Sequence, residues 1–165
     1  MWTKERIEAL VASQRKFFRS GVTLDVDWRI RQLKKLRQAV RAHETEIKVA
    51  LAADLGRSEA EAYFCDVGSV ILEINETLRG LRRWARPETH FSGLVCFPSV
   101  VTKVYKMPYG TALIVSPFNF PFLLSLGVLT AAIAGGNTAV IKASSKSIHS
   151  TAVLQRLISE TFPPE

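Results

Sequence analysis

Cysteine is nearly absent from this sequence, and the patterns in which cysteine usually has a function are missing. The only two, Cys65 and Cys96, lie far apart and form no CxxC motif. This argues against a disulfide scaffold and is typical of two buried, inert thiols in a reducing compartment. Neither zinc-finger spacing nor any other metal-ligand spacing is present, so we predict no metal site.

A signal peptide and a nucleic-acid motif are also missing. The first ten residues, MWTKERIEAL, are charged at once and lack the apolar core of a leader, so we expect a cytoplasmic protein. The formal net charge is +7, and 19 of the 22 Lys and Arg residues precede Met107 together with 13 of the 15 acids. This surplus is spread along amphipathic helices, which favours a solvated surface and no nucleic-acid partner. The alternative is a basic helical module for nucleic acid or anionic lipid, whose binding would depend strongly on salt.

Charge is absent from one long stretch, between Lys106 and Lys142. A helical membrane span needs about 20 consecutive apolar residues. The longest part without proline, 122–141, is interrupted after 13 residues by a Gly-Gly-Asn turn at 135–137. The stretch therefore predicts buried strand, loop and helix inside an α/β protein, and no membrane span.

Residues 1–90 have the periodicity of amphipathic helices. The pattern predicts helices over 3–20, 25–55 and 58–86, and the polar sequence HETE at 43–46 can divide the second. Ser58 and Glu61 have the spacing of a capping box, which marks the start of the third helix.

Beyond residue 90 the pattern favours strands and then alternates. The sequences LVCF and SVVTKVYKM predict a β-hairpin, or two adjacent strands, with a turn at 98–99. The segments that follow predict strand, helix, strand and helix in succession, at 111–116, 122–136, 137–144 and 147–162. The predicted fold class is α/β, with N-terminal helices and a β-hairpin leading into the first strand-helix-strand-helix of an incomplete, Rossmann-like parallel sheet. The predicted regions are a helical region at 1–90, the hairpin at 91–107 and the start of a nucleotide-binding domain at 108–165.

The loop SPFNFP follows the first predicted parallel strand, where open α/β sheets bind ligands. Pro117 and Pro121 stiffen it around Asn119. A fixed asparagine amide can donate a hydrogen bond to a developing oxyanion. The alternative is that Asn119 is an ordinary turn or cap residue.

Residues 107–144 resemble the aldehyde dehydrogenase superfamily, whose pattern is close to P-x-G, PWN-x-P, A-x-x-x-GN and K-P. The earlier sequence ALAADLGRSEAEAYFCDVGSVILEINETLRGLRRWARP resembles its class 3 branch, and the likeness extends over nearly the whole chain. The resemblance implies oxidation of an aldehyde substrate to an acid: a cysteine thiolate attacks the carbonyl, hydride passes to NAD or NADP, and water releases the acyl group.

The resemblance also assigns roles to residues of this chain. Asn119 matches the asparagine that donates to the thiohemiacetal oxyanion. Val115, Ser116 and Pro117 match a stretch that lies along the cofactor. Phe118 replaces the usual tryptophan and keeps an apolar wall.

At the ribose end, the resemblance implies that Lys142 bonds the adenosine ribose hydroxyls. Ser145 stands where a glutamate usually binds the ribose 2′-hydroxyl, and Lys146 adds positive charge beside it. A carboxylate would repel a 2′-phosphate and serine would not, so we expect NADP to be accepted at least as well as NAD.

The family's nucleophilic cysteine and general-base glutamate lie downstream of the last residues of this sequence. The expectation is therefore the N-terminal part of an NAD(P)-dependent aldehyde dehydrogenase, poorly stable, prone to association and inactive alone. The hairpin corresponds to the family's oligomerisation strands, which implies a homo-oligomer, in this branch a dimer. The alternative is a non-catalytic remnant with a binding or assembly role.

Overall fold

The computed structural model describes residues 2–91, 93–94 and 100–164. Helices fill the first half of the chain. Their bounds are Lys4–Arg19 (α1), Val26–Ala42 (α2), Glu44–Leu55 (α3), Glu59–Ala62 (α4) and Gly68–Trp84 (α5), with a short 3-10 turn at Val22–Leu24.

Local capping signals explain where these helices begin and end. The Thr3 hydroxyl accepts a hydrogen bond from the Arg6 N–H (3.4 Å) at the start of α1. Ser58 and Glu61 form the predicted capping box at the start of α4. Gly56, which ends α3, has φ 66°, a left-handed conformation that glycine adopts without strain. The predicted starts and stops are thus confirmed.

The third predicted helix differs from the expectation, because a π-helical turn at Tyr63–Val67 separates α4 from α5. The Ser69 hydroxyl donates to the Phe64 carbonyl (2.6 Å) beside this turn. Such turns change which side chains point inward, and they are frequent at functional sites. Here the turn places Asp66 in the interior, with no exposed surface.

The hairpin consists of strands Glu88–His90 (β1) and Thr102–Val104 (β2), which pair antiparallel with Thr89 opposite Lys103. Every residue of both strands is exposed. The strand seen beside β2 is β1, just after α5, which lies earlier in the sequence than the predicted first strand LVCF. Leu94 lies in a turn. The rest of LVCF, with Cys96 and the predicted turn at 98–99, lies outside the described residues.

The second half of the chain has the predicted parallel arrangement. Strands Thr111–Val115 (β3) and Thr138–Lys142 (β4) pair in parallel. The crossover between them contains a π-helical turn at Leu123–Gly127 and helix Val128–Ala134 (α6). Helix Ile148–Thr161 (α7) follows β4. The predicted strand, helix, strand and helix are therefore confirmed in order, type and direction.

One core joins the helices to the inner face of the parallel strands. Helix α2 packs on α5 and α6, and α3 packs on α7. The larger side chains in this core with no exposed surface are Leu33, Leu36, Ile47, Leu51, Ile74, Leu126 and Leu157. Ile114 of β3 faces the core, whereas Leu113 and Val115 on the opposite face are 68% and 65% exposed.

A buried arginine fastens the turn between α6 and β4 to α2. The Arg29 guanidinium donates to the carbonyls of Thr23 (2.6 Å), Leu24 (3.1 Å) and Ala134 (3.1 Å). Gly136 has φ 83°, and a Cβ there would lie 2.7 Å from the guanidinium. Glycine is required at this position both by its conformation and by this close approach.

The long uncharged stretch is folded as strand, loop, helix and strand, as predicted. Among the described residues, no helix combines the length and the apolar character that crossing a membrane requires.

The N-terminus of α7 is capped from a distant part of the chain. The Asp54 carboxylate accepts hydrogen bonds from the backbone N–H groups of His149 (3.2 Å) and Ser150 (2.7 Å). It also lies 2.8 Å from Nδ1 of His149. Burial acts to raise the pKa of Asp54, but the hydrogen bonds from Ser150 and His149 outweigh it and hold that pKa below its ordinary value.

Replacing Asp54 by alanine is expected to lower the free energy of unfolding by about 1–2 kcal/mol at neutral pH, because the first amides of α7 lose their acceptor. A depressed carboxylate pKa contributes stability above the unfolded pKa, near 4, and loses it as pH falls through the folded value. Urea unfolding followed by circular dichroism from about pH 3 to pH 7 measures the difference. Asp54→Asn is the control that keeps an acceptor without the charge. A deficit as large at pH 3 as at pH 7 would show that the ionised carboxylate is not responsible.

Candidate functional site

The carboxyl ends of the two parallel strands bring the predicted site residues together. Val115, the last residue of β3, is the register partner of Lys142, the last residue of β4. The Ser116 N–H donates to the Lys142 carbonyl (3.1 Å), so the ladder continues one step into the loop. Residues far apart in sequence therefore emerge side by side at one edge of the sheet.

The loop after β3 is held by a buried pair of serines. Ser116 is 5% exposed and Ser125 is fully buried. The Ser125 hydroxyl donates to the Pro121 carbonyl (2.6 Å), and its oxygen lies 2.8 Å from the Ser116 hydroxyl oxygen. Since Ser125 has one hydroxyl proton, Ser116 is the donor between the two hydroxyls. Ser116 thus fastens the start of the loop to the helical turn that follows it.

The tip of the loop faces outward. Pro117, Phe118 and Asn119 are exposed, with Phe118 at 44%. The Asn119 backbone carbonyl accepts a hydrogen bond from Nη2 of Arg57 (2.6 Å). Its side-chain amide makes no hydrogen bond to any other described residue. An exposed amide without an internal partner, on a backbone that is held, is available to donate to a ligand.

Two residues that sequence reasoning missed hold this loop from behind, Arg57 and Asp66. Nη1 of Arg57 donates to Oδ2 of Asp66. Oδ1 of Asp66 accepts the backbone N–H groups of Phe122 (3.0 Å) and Leu123 (2.8 Å), where the helical part of the crossover begins. One signal was present in the sequence: Asp66 lies four residues from both Ala62 and Val70, so it is an acid on an apolar helical stripe.

Opposing influences act on the Asp66 carboxyl. Burial, the largest, raises its pKa above the ordinary value, against the amide hydrogen bonds from Leu123 and Phe122 and the charge of Arg57. Because both carboxylate oxygens have partners, the ionised form is nevertheless fully satisfied inside the protein.

The loop after β4 begins at the same edge of the sheet as the loop after β3. Lys142 and Ser145 are exposed. The Lys146 ammonium lies 5.3 Å from the centroid of the Phe118 ring, which joins this loop to the first. The Ser144 hydroxyl accepts the Lys146 N–H (3.2 Å) in a local turn. Positive charge and an aromatic face therefore flank Ser145.

Cys65, in contrast, lies in the π-helical turn before α5, half-buried and free of any disulfide. Within residues 2–91, 93–94 and 100–164, no group of three or more His, Cys, Asp or Glu side chains could hold a metal ion.

The arrangement can bind an anionic or polyhydroxylated ligand and can direct an amide toward it. Lysine donors, hydroxyls and apolar side chains line one edge of the sheet, and the Asn119 amide stands at the end of β3. These residues fit the adenosine half of a nicotinamide nucleotide, because a lysine can donate to ribose hydroxyls while Phe118 and Val115 provide apolar contact.

Comparison with known proteins identifies the family of this chain. The model of the aldehyde dehydrogenase family matches residues 1–165. The chain is 40% identical over 158 residues to 4,4'-diaponeurosporen-aldehyde dehydrogenase of Staphylococcus aureus, covering 94% of this chain and 34% of that protein. It is 37% identical over 155 residues to aldehyde dehydrogenase family 3 member H1 of Arabidopsis thaliana, covering 94% and 32%.

Solved structures show the same fold. The substrate-bound state of Staphylococcus aureus AldH superposes with a TM-score of 0.93 at 39% identity, over 96% of this chain and 34% of that one. This chain therefore spans about a third of the length of the relatives it matches. Since the family model covers every residue and relatives of the class 3 branch are among the matches, the chain belongs to the aldehyde dehydrogenase family.

Proposed function

We propose that these residues form the N-terminal part of an NAD(P)-dependent enzyme that oxidises aldehydes to carboxylic acids through a cysteine thiohemiacetal. The observation that carries this proposal is the register of Val115 with Lys142. This register supports the proposal because Lys142 and the start of the loop that carries Asn119 lie at the same edge of one sheet. Because the chain spans about a third of its relatives, the activity belongs to the whole enzyme.

Asn119 is the catalytic residue that this part contributes. When a thiolate adds to an aldehyde carbonyl, negative charge develops on the oxygen, and a held amide that donates to it lowers the barrier. The exposed side chain of Asn119, which hydrogen-bonds to no other residue that the structure describes, suits that role because Arg57 holds the backbone.

The coenzyme lies along the carboxyl edge of β3 and β4 in this proposal. Lys142 donates to the adenosine ribose hydroxyls, Ser116 and Pro117 follow the dinucleotide, and Val115 and Phe118 contact it through apolar surface. When bound, the nicotinamide accepts the hydride released by the thiohemiacetal.

Ser145 sets the preference between NAD and NADP. No carboxylate is present at this position to repel a 2′-phosphate, and the Lys146 ammonium lies close by, over Phe118. NADP is accordingly accepted at least as well as NAD.

The nucleophile lies outside these 165 residues. Cys65 is half-buried in a helical turn and belongs to the packing. Cys96 precedes the parallel strands in sequence and is assigned to packing as well. The chain alone is therefore proposed to be inactive.

Assembly is proposed to use the hairpin. Both strands, β1 and β2, are exposed along their whole length, and an exposed strand edge readily pairs with another chain. A homodimer of the whole enzyme through this hairpin is the proposed arrangement, and a cytoplasmic location stays a prediction. A remnant that kept only this assembly role is the second candidate, favoured by the same exposed strands.

The 165-residue protein is expected to show no aldehyde-dependent reduction of NAD or NADP, because the nucleophilic cysteine is proposed to lie outside it. Absorbance at the nicotinamide band in the presence of short and long aldehydes measures this. Steady turnover by the purified protein, retained after Cys65→Ala and lost after Cys96→Ala, would identify Cys96 as a nucleophile and contradict the proposal.

The role of Asn119 is tested in a hybrid enzyme in which residues 1–165 replace the matching third of the Staphylococcus aureus relative. Asn119→Ala is expected to lower kcat by roughly 10²- to 10³-fold with coenzyme affinity unchanged, because one oxyanion donor is lost. Arg79→Lys, on the exposed surface of α5, is the control. A folded, coenzyme-binding hybrid that is inactive, or an Asn119→Ala variant as active as the parent, counts against the proposal.

Coenzyme preference is tested in the same hybrid with Ser145→Glu. The carboxylate is expected to weaken NADP relative to NAD by tenfold or more, about 1.4 kcal/mol, through repulsion of the 2′-phosphate. Ser145→Gln is the matched control without charge. If kcat/KM for the two coenzymes keeps the same ratio in all three proteins, Ser145 does not face the 2′ position.

A further inference from the structure

The Asp66 carboxyl group is completely buried, and none of the roles proposed so far uses it. It lies in the π-helical turn Tyr63–Val67, more than fifty residues before the loop that carries Asn119. A buried carboxylate is costly unless each oxygen has a partner, so its partners indicate what it does.

The two carboxylate oxygens of Asp66 have different partners. Oδ1 accepts the N–H groups of Phe122 (3.0 Å) and Leu123 (2.8 Å), at the far end of the SPFNFP loop. Oδ2 pairs with Nη1 of Arg57. The carboxylate thus fixes the backbone that follows the loop and one arm of a guanidinium.

The other arm of that guanidinium reaches the loop tip. Nη2 of Arg57 donates to the Asn119 carbonyl (2.6 Å), and the guanidinium lies 4.7 Å from the centroid of the Phe120 ring. The Arg57 side chain is only 13% exposed. A planar guanidinium held by a carboxylate, a carbonyl and a ring has little freedom to rotate.

Through the Arg57 guanidinium, these contacts connect the buried Asp66 carboxylate to the backbone of Asn119. The carbonyl of Asn119 is the atom that Arg57 holds, so this contact restrains the main chain from which the Asn119 side chain projects. The side chain itself has no partner among the described residues that could orient it directly.

We propose that Arg57 and Asp66 are positioning residues that orient the Asn119 amide by fixing its backbone carbonyl. The inference rests on the proposed role of Asn119 as an oxyanion donor. Neither residue touches the substrate in this account. Their effect on the rate is exerted through the direction of one amide, where displacement by about 1 Å can cost as much as 100-fold in rate.

Two conservative substitutions separate positioning from general stability. Arg57→Lys keeps the positive charge beside Asp66 but replaces the planar guanidinium with a single ammonium. The ammonium cannot donate to both Asp66 and the Asn119 carbonyl in the same geometry. Asp66→Asn keeps an acceptor oxygen for Phe122 and Leu123 but turns an NH₂ group toward Arg57. Arg79→Lys is the matched control, because Arg79 pairs with Glu76 on the exposed surface of α5.

The first measurement uses the 165-residue protein labelled with ¹⁵N. In both variants the backbone and side-chain amides of Asn119 are expected to gain motion in relaxation measurements, while the amide protons of Phe122 and Leu123 keep most of their protection in Arg57→Lys. The control leaves all of these unchanged. An Asn119 amide that is as ordered in both variants as in the parent overturns the proposal.

The second measurement uses the hybrid enzyme. Each variant is expected to lower kcat roughly tenfold or more while KM for the aldehyde changes by less than about threefold, since only a transition-state contact is misaligned. The double variant is expected to lose little more than either single one, because both act through the same carbonyl. Variants with unchanged kcat, or whose kcat, KM and melting temperature fall together, show a structural role only.

Comparing kcat of these variants with kcat of Asn119→Ala in the hybrid enzyme separates this inference from the proposed function on which it rests. If Asn119→Ala leaves kcat unchanged, the oxyanion role fails, whatever the substitutions at Arg57 and Asp66 do to kcat. If Asn119→Ala is impaired and the positioning variants are not, the function stands and the inference is wrong.

Discussion

The parallel pairing of β3 with β4 is the constraint on which the other features of the site depend. Register sets Val115 beside Lys142, and the ladder extends through the Ser116 N–H to the Lys142 carbonyl. A slip of one residue would turn Ile114 out of the core and Val115 into it, which burial on one face forbids. The core therefore determines which side chains stand at the carboxyl edge of the sheet, and that edge is where the chemistry is proposed.

The loops beyond this edge are held by polar contacts from the helical half of the chain. Ser125 and Ser116 fasten the start of the first loop, and the Arg57–Asp66 pair fastens its tip and its end. After the second loop, the Asp54 carboxylate accepts a hydrogen bond from the Ser150 N–H and so holds the start of α7. The N-terminal helices thus act as a support for the nucleotide-binding edge, which explains why both halves share one core.

Much of this arrangement follows from local signals, and the part that does not depends on distant partners. The capping box of Ser58 and Glu61 predicted where α4 begins, and the turn at 135–137 separated the crossover helix from β4. Strand β1, with the polar sequence ETH, carries no β pattern of its own and forms because β2 lies beside it. Neither local period nor composition could reveal that pairing.

The burial of charged side chains is the other feature that the sequence did not predict. Arg29 and Asp66 are both buried because backbone groups elsewhere in the chain complete their hydrogen bonds. The π-helical turn that carries Asp66 is invisible to a count of 3.6 residues per turn. The positions of Asn119 and Lys142, by contrast, follow from topology alone, since parallel strands present their carboxyl ends together.

The most direct test of the central claim is a titration of the ¹⁵N-labelled protein with NADP, followed by amide chemical shifts. The account predicts that shifts appear together in two segments, 115–119 and 142–146, and saturate with a single dissociation constant. Shifts confined to the arginines of α5, or to one of the two segments alone, would contradict a shared nucleotide crevice at the end of β3 and β4.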